Sequence, residues 1–169
     1  LEEGDETDSD ETTRRLQILW KHPHNTPEVE GFLEALGFDD GAGVLKILTD
    51  FAEHPNIRNV SARVLERLDK LMPKVIMAAA GSQEPVKALD YVVNILLKVA
   101  NRSNYMSQLI ANPAALDNLI RICLASPWFS SFLGQHPVLL DELVVSRDLV
   151  LRAKPKGNLY LTLKSQMDV

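Results

Sequence analysis

The sequence has one cysteine, Cys123, among 169 residues. That excludes an internal disulfide framework and suits a reducing compartment. No apolar run approaches the length of a membrane-spanning helix. The N-terminal stretch is acidic, unlike a secretory signal, so the expected location is the cytoplasm. A positive excess is also missing, with 18 Lys and Arg against 23 Asp and Glu. Seven of those acids fall within residues 1–12, which hold no base, leaving 16 of the 23 facing 18 bases in the rest. A near-neutral body carries neither a nucleic-acid footprint nor the charge pattern of a membrane surface.

The signatures of common catalytic sites are missing as well. Gly41-Ala42-Gly43 comes closest to a phosphate-cradling loop. It has no preceding strand and no following Lys-Ser/Thr. Asp8-Ser9-Asp10 has the spacing of paired metal-binding acids, but such a pair must leave a buried strand to reach one magnesium ion. Here it lies in an acidic stretch without periodicity. His22 and His24 flank a proline, and His54 and His136 each precede one; none has an acidic or thiol partner at ligand spacing. These histidines read as caps and loop residues. Cys123 shares an apolar face with Leu116, Leu119 and Ile120 and reads as a small buried hydrophobe, with nothing near it to lower its pKa.

What remains is helical periodicity, and it runs through most of the chain. Hydrophobic content of 46% and charged content of 24% are ordinary for a globular domain. Residues 1–12 are expected to form an acidic disordered tail or linker. Arg14 to Trp20 reads as a short helix with Leu16, Leu19 and Trp20 on one side. Thr26-Pro27 is a cap followed by proline at the first helical position. Val29, Phe32, Leu33 and Leu36 then form an i, i+3, i+4, i+7 stripe ended by Gly37. Asp39 and Asp40 place negative charge at the next N-terminus, ahead of Val44, Ile47, Leu48 and Phe51. From about Val60, the residues Val64, Leu68, Leu71 and Val75 line a longer helix that Pro73 should kink or restart and Gly81 closes.

The segment from Pro85 to about Ala100 is apolar around most of its circumference, through Val86, Leu89, Val92, Val93, Leu96, Leu97 and Val99. A helix of that kind belongs in the centre of a core. Ser103–Ala111 and Pro113–Leu124 add two more helices. Ser126 to Val144 then writes two short ones back to back. Ser126 caps the first, and Trp128, Phe129, Phe132 and Leu133 share its face before Gly134 supplies a left-handed stop. His136-Pro137 opens the second, whose face is Leu139, Leu140, Leu143 and Val144. Beyond Val145 the signal weakens. Leu159–Leu163 alternates like a strand but has nothing to pair with, so residues 146–169 are expected to be a poorly ordered tail or an extension toward a following domain. The fold class expected is all-α, an irregular antiparallel bundle of about six to eight helices over residues 13–145. Its core is expected to include Leu89, Val93, Leu96, Leu116, Leu119, Trp128, Phe132, Leu139, Leu140 and Leu143.

An ordered set of motifs runs through Arg102-Ser-Asn-Tyr105, Asn112-Pro-Ala-Ala-Leu116, Leu119-Ile-Arg-Ile-Cys123, Ala125-Ser-Pro127, His136-Pro137 and Leu139-Leu-Asp-Glu-Leu143. Arg63-Val-Leu through Leu71-Met-Pro73 is a weaker echo upstream. Over roughly residues 58–145 the chain thereby resembles the central helical region of bacterial glutamine synthetase adenylyltransferase, the family that adds AMP to glutamine synthetase and removes it. The resemblance implies a parent with two nucleotidyltransferase domains joined by helices. One transfers AMP from ATP with magnesium and the other removes it by phosphorolysis. It further implies flanking catalytic domains, the PII signalling protein and glutamine synthetase as partners. The family's catalytic acids have no matching positions here, so no catalytic, cofactor-binding or metal residue is assigned, and no cofactor is expected in this segment. After Leu143 the chain departs from the family, which continues with an acidic-proline turn.

The resulting expectation is a connecting and regulatory helical segment of such an enzyme. The alternative is a free-standing helical adaptor that takes a partner helix in a groove. Catalytic domains encoded on both sides would discriminate the two.

Overall fold

The computed structural model describes residues 2–136, side chains being described for all but residues 2–7, Ser130 and Gly134. Nine helices and no strand occur among the described residues. They are α1 (Glu2–Lys21), α2 (Pro27–Leu36), α3 (Gly41–Glu53), α4 (Pro55–Arg58), α5 (Ala62–Ala80), α6 (Pro85–Val99), α7 (Ser103–Ala111), α8 (Pro113–Ala125) and α9 (Pro127–Gln135). The all-α expectation holds, with the four-residue α4 as an added turn. Residues 139–144 and 159–163, read as a helix face and a lone strand, lie outside the described residues.

Local chemistry explains where the helices begin. Five of them, α2, α4, α6, α8 and α9, open on proline, where the absent N–H is one that no helix could have paired. Side chains accept from orphan backbone N–H groups at Thr26 (from Val29), Asp40 (from Gly43), Ser61 (from Val64) and Ser126 (from Phe129). At the end of α2, Gly37 has φ 132°, and Phe38 N donates to Leu33 O at 3.2 Å. That is the bond of a Schellman stop, which glycine's lack of a Cβ permits. A Cβ on Gly37 would also lie 2.5 Å from the carbonyl oxygen of Ala80 at the end of α5.

Two helices form the spine of the fold. α6 packs against α3, α4, α5, α8 and α9, and α5 against α1, α6, α7 and α8. Leu68, Leu71, Met72, Val75 and Ile76 of α5 are fully buried, as are Leu89, Val92 and Leu96 of α6. One hydrophobic cluster extends from Leu16 in α1 to Leu133 in α9. Side-chain to backbone bonds tie the outer helices to it, among them Lys74 Nζ to Ile110 O at 2.8 Å, which satisfies a carbonyl at the end of α7.

Four sequence expectations need correction. Residues 2–12 form not a tail but the first half of α1. Leu16, Leu19 and Trp20 anchor the second half, so nucleation has already been met, and acidic side chains suit a helix N-terminus. Pro73 lies inside a continuous α5 and does not restart it. Gly134 does not stop α9, which runs to Gln135, because the left-handed glycine among the described residues is Gly37 alone. Trp128, expected in the core, is 38% exposed. Phe129 and Leu133 turn α9's inner face to α6 and α8, and one residue's rotation, about 100°, swings Trp128 to the flank.

Candidate functional site

Pro73 creates the first feature of note. A proline in a helix interior cannot donate to the carbonyl four residues earlier, here that of Asp69. Gln17 Nε2 of α1 donates to this freed carbonyl at 3.0 Å. The carboxylate of the same residue accepts from Trp20 Nε1 at 3.0 Å. Lys21 Nζ stands 3.1 Å from Asp69 Oδ1 and 3.2 Å from Oδ2. Trp20 is 1% exposed, and a buried indole N–H without a partner would be costly. Asp69 thus gathers three donors from α1 onto the point where α5's own ladder is interrupted. Periodicity does not reveal this joint, though a proline inside a helical pattern is a signal that an acceptor four residues back needs a donor from elsewhere.

The second feature is an open cleft of about 370 Å³ on the outer side of α6. Its floor and one rim come from Asp90, Tyr91, Asn94, Ile95 and Lys98. The α3–α4 corner contributes His54 and Asn56, and α9 contributes Ser131. The corner is held by its own bonds. Asn56 N donates to His54 Nδ1 at 3.1 Å, the ring nitrogen acting as acceptor. Asn56 Nδ2 donates to Leu97 O at 3.1 Å, pinning α4 to α6. Asn94 Nδ2 and Asp90 Oδ1 stand 3.4 Å apart. Lys87, Asp90, Asn94 and Lys98 are exposed, so the helix read as apolar nearly all round keeps one polar stripe open to solvent.

The residues weighed for chemistry are scattered. His22 and His24 are exposed, with His24 Nδ1 2.9 Å from His22 O. His136 is exposed and meets Phe132 in a tilted ring contact, with centroids 4.5 Å apart. Asp8 and Asp10 are exposed on α1, where two residues' separation turns their side chains to opposite sides. Gly41-Ala42-Gly43 is the first turn of α3. Cys123 is fully buried. No group of three His, Cys, Asp or Glu side chains that could hold a metal ion occurs among the described residues. No described helix is long and apolar enough to cross a membrane.

Of the core residues expected from the sequence, Leu89, Val93, Leu96, Leu116 and Leu119 are at most 3% exposed. Phe132 is half-buried and stacks on Trp128 with centroids 5.3 Å apart. Leu139, Leu140 and Leu143 lie outside the described residues. The sequence reading did not single out Asp69, Gln17 or the stripe Asp90-Asn94-Lys98.

No protein-family model matches the chain. Individual relatives do. The chain is 37% identical over 134 residues to the bifunctional glutamine synthetase adenylyltransferase/adenylyl-removing enzyme of Thioalkalivibrio sulfidiphilus, covering 79% of this chain and 14% of that enzyme. It is 32% identical over 146 residues to the enzyme of the same name from Idiomarina loihiensis, covering 86% of this chain and 15% of the enzyme. With that from Pseudomonas syringae pv. tomato it shares 35% identity over 126 residues, 75% of this chain and 13% of the enzyme. The chain therefore spans about one-seventh of the length of these relatives and is homologous to a segment of the bifunctional glutamine synthetase adenylyltransferase/adenylyl-removing enzymes.

Proposed function

We propose that the chain is a non-catalytic connecting and regulatory segment of an enzyme that adenylylates and deadenylylates glutamine synthetase in the cytoplasm. It holds two nucleotidyltransferase domains apart, each using its own magnesium and nucleotide, and passes the state of the PII protein or of glutamine between them. One observation carries the reading. The stretch similar to about one-seventh of those relatives folds around a single hydrophobic cluster from α1 to α9. A packed bundle of that kind shifts between discrete arrangements rather than deforming smoothly, so it can relay a signal between sites that do not touch. Coupling free energies of this sort are about 1–3 kcal/mol.

The test is to place Leu96→Ala, and the milder Leu96→Val, in a full-length polypeptide bearing this segment. Adenylylation and deadenylylation are then assayed with and without PII and glutamine. Leu96 is fully buried in α6, so both variants loosen the spine without touching an active site. Weakened effector control with most basal activity retained is the expected result. Loss of basal activity with control intact would mean that the bundle supports an active site directly.

A further inference from the structure

α5 turns one charged face to solvent. Arg63, Arg67, Lys70 and Lys74 follow one another at intervals of four, three and four residues, so they fall within an arc of about 60°. The core residues Leu68, Met72 and Val75 leave the opposite side of the helix. Arg63, Lys70 and Lys74 are exposed and Arg67 is half-buried. None of the four has an ion-pair partner among the described residues. Lys74 Nζ donates to a neutral carbonyl, Asp69 is taken by Lys21 on the α1 side, and the exposed Glu66 pairs with no base. The flanking helices supply no counter-charge either. α7 contains no acid, and Asp8, Asp10 and Glu11 of α1 lie within ion-pair distance of none of the four. Like charges three and four residues apart weaken a helix, so the row does nothing for α5 itself. Met77, 46% exposed, follows Lys74 by three residues and widens the arc only to about 80°. Methionine and arginine are both enriched at interfaces, and an exposed methionine adapts to the shape of what covers it. We infer that this face binds an acidic helix of a partner protein. The helix carries carboxylates at the same four-three-four spacing and, three residues beyond the last, an aliphatic side chain that lies on Met77.

Spacing selects a helix over an extended acidic segment. The cations rise in steps of about 4.5–6 Å along α5, whereas alternate residues of a strand stand about 6.7 Å apart. A strand would be about 4 Å out of step by the fourth cation, while a helix repeats the same rise. Charge selects a compact protein partner over a nucleic acid or an anionic membrane, both of which would meet a chain of net charge −5. The acidic half of α1 in a second copy has the right sign, but residues 2–11 contain no apolar side chain to cover Met77.

The experiment uses the whole chain and fluorescent helical peptides of about 18 residues at low salt. One carries four Glu at the spacing of the row and a Leu three residues beyond the last. A second has the same composition with its Glu spread around the helix. Exposed ion pairs change affinity only a few-fold each, so the striped peptide should bind about tenfold more tightly than the scrambled one. Raising the salt to physiological strength should erase most of that difference. Lys70→Glu should weaken the striped peptide about tenfold, and Glu66→Gln should tighten it about twofold. Met77→Ser should weaken it by a factor that salt leaves unchanged. Circular dichroism unchanged from wild type shows that these surface variants are folded. Four outcomes overturn the inference. They are failure of the striped peptide to bind at millimolar concentration, equal affinity for the two peptides, tighter binding of a single-stranded DNA oligomer of equal charge, and self-association in sedimentation that Lys70→Glu abolishes. None of these readings depends on whether the segment couples two catalytic domains.

Discussion

Asp69 receives Gln17 at its backbone carbonyl and Trp20 and Lys21 at its carboxylate, so one residue joins α1 to the spine. The Lys21 contact is partly exposed, and such pairs contribute little. The Trp20 bond matters more, because removing its acceptor strands a buried donor. Asp69→Ala should therefore cost about 1–3 kcal/mol in urea unfolding, while Asp69→Asn, which keeps an acceptor oxygen, should cost clearly less. Gln17 offers a sharper test of the proline argument. With Pro73 present, Gln17→Ala leaves the Asp69 carbonyl unpaired. With Pro73→Ala, an intrahelical N–H can take that carbonyl, and loss of Gln17 matters less. A double-mutant cycle should give a coupling of about 1 kcal/mol. A coupling of zero would mean that Gln17 does not serve the gap left by proline.

At the scale of the element, α6 and α9 show what an apolar pattern does and does not settle. α6 buries Ala88, Leu89, Val92, Val93, Ile95, Leu96 and Val99 because helices flank it on most sides. Its remaining polar stripe forms the cleft. α9 is also rich in large apolar residues, and among the described helices it contacts chiefly α6 and α8, which cover one side of it. Phe129 and Leu133 take that side, at 3% and 0% exposure. Trp128 keeps a stacking contact with Phe132, worth about 0.5–1.5 kcal/mol beyond area. Trp128→Ala is accordingly expected to cost about 1–2 kcal/mol in chemical denaturation rather than the 3–5 kcal/mol of a fully buried tryptophan. A loss above 3 kcal/mol would show that the side chain is covered in solution.

For the whole molecule, a single cluster running from α1 to α9 predicts that the two ends unfold together. The two tryptophans make this measurable, since Trp20 is buried against α3 and α5 and Trp128 sits on α9. Fluorescence of a Trp128→Phe variant reports Trp20 alone, and that of a Trp20→Phe variant reports Trp128. Each transition should coincide with helix loss followed by circular dichroism in the same variant. Separate midpoints for fluorescence and circular dichroism would divide the bundle into two cooperative units and weaken its standing as a rigid coupler.

The sequence alone determined most of the helices after α1 and their starts, because caps and first-turn prolines act within four residues of where they stand. Thr26-Pro27, Ser126-Pro127 and the Gly37 stop are legible without any partner. It also carried the likeness to a segment of the adenylyltransferase/adenylyl-removing enzymes, through ordered motifs such as Asn112–Leu116, and determined the burial of Leu89, Leu96 and Leu119, whose apolar neighbours recur at helical spacing. Contacts distant in sequence decided the rest. Whether Pro73 broke α5 depended on a donor 56 residues upstream, Gln17, reaching the freed carbonyl. Whether residues 2–12 joined a helix depended on α5 anchoring the far end of α1. How far Trp128 was buried, and whether Asp90 and Lys98 stood on an open face or bordered a trough, depended on where α4 and α9 came to rest beside α6. Periodicity gives the direction in which a side chain leaves its helix, but only packing decides what it meets there.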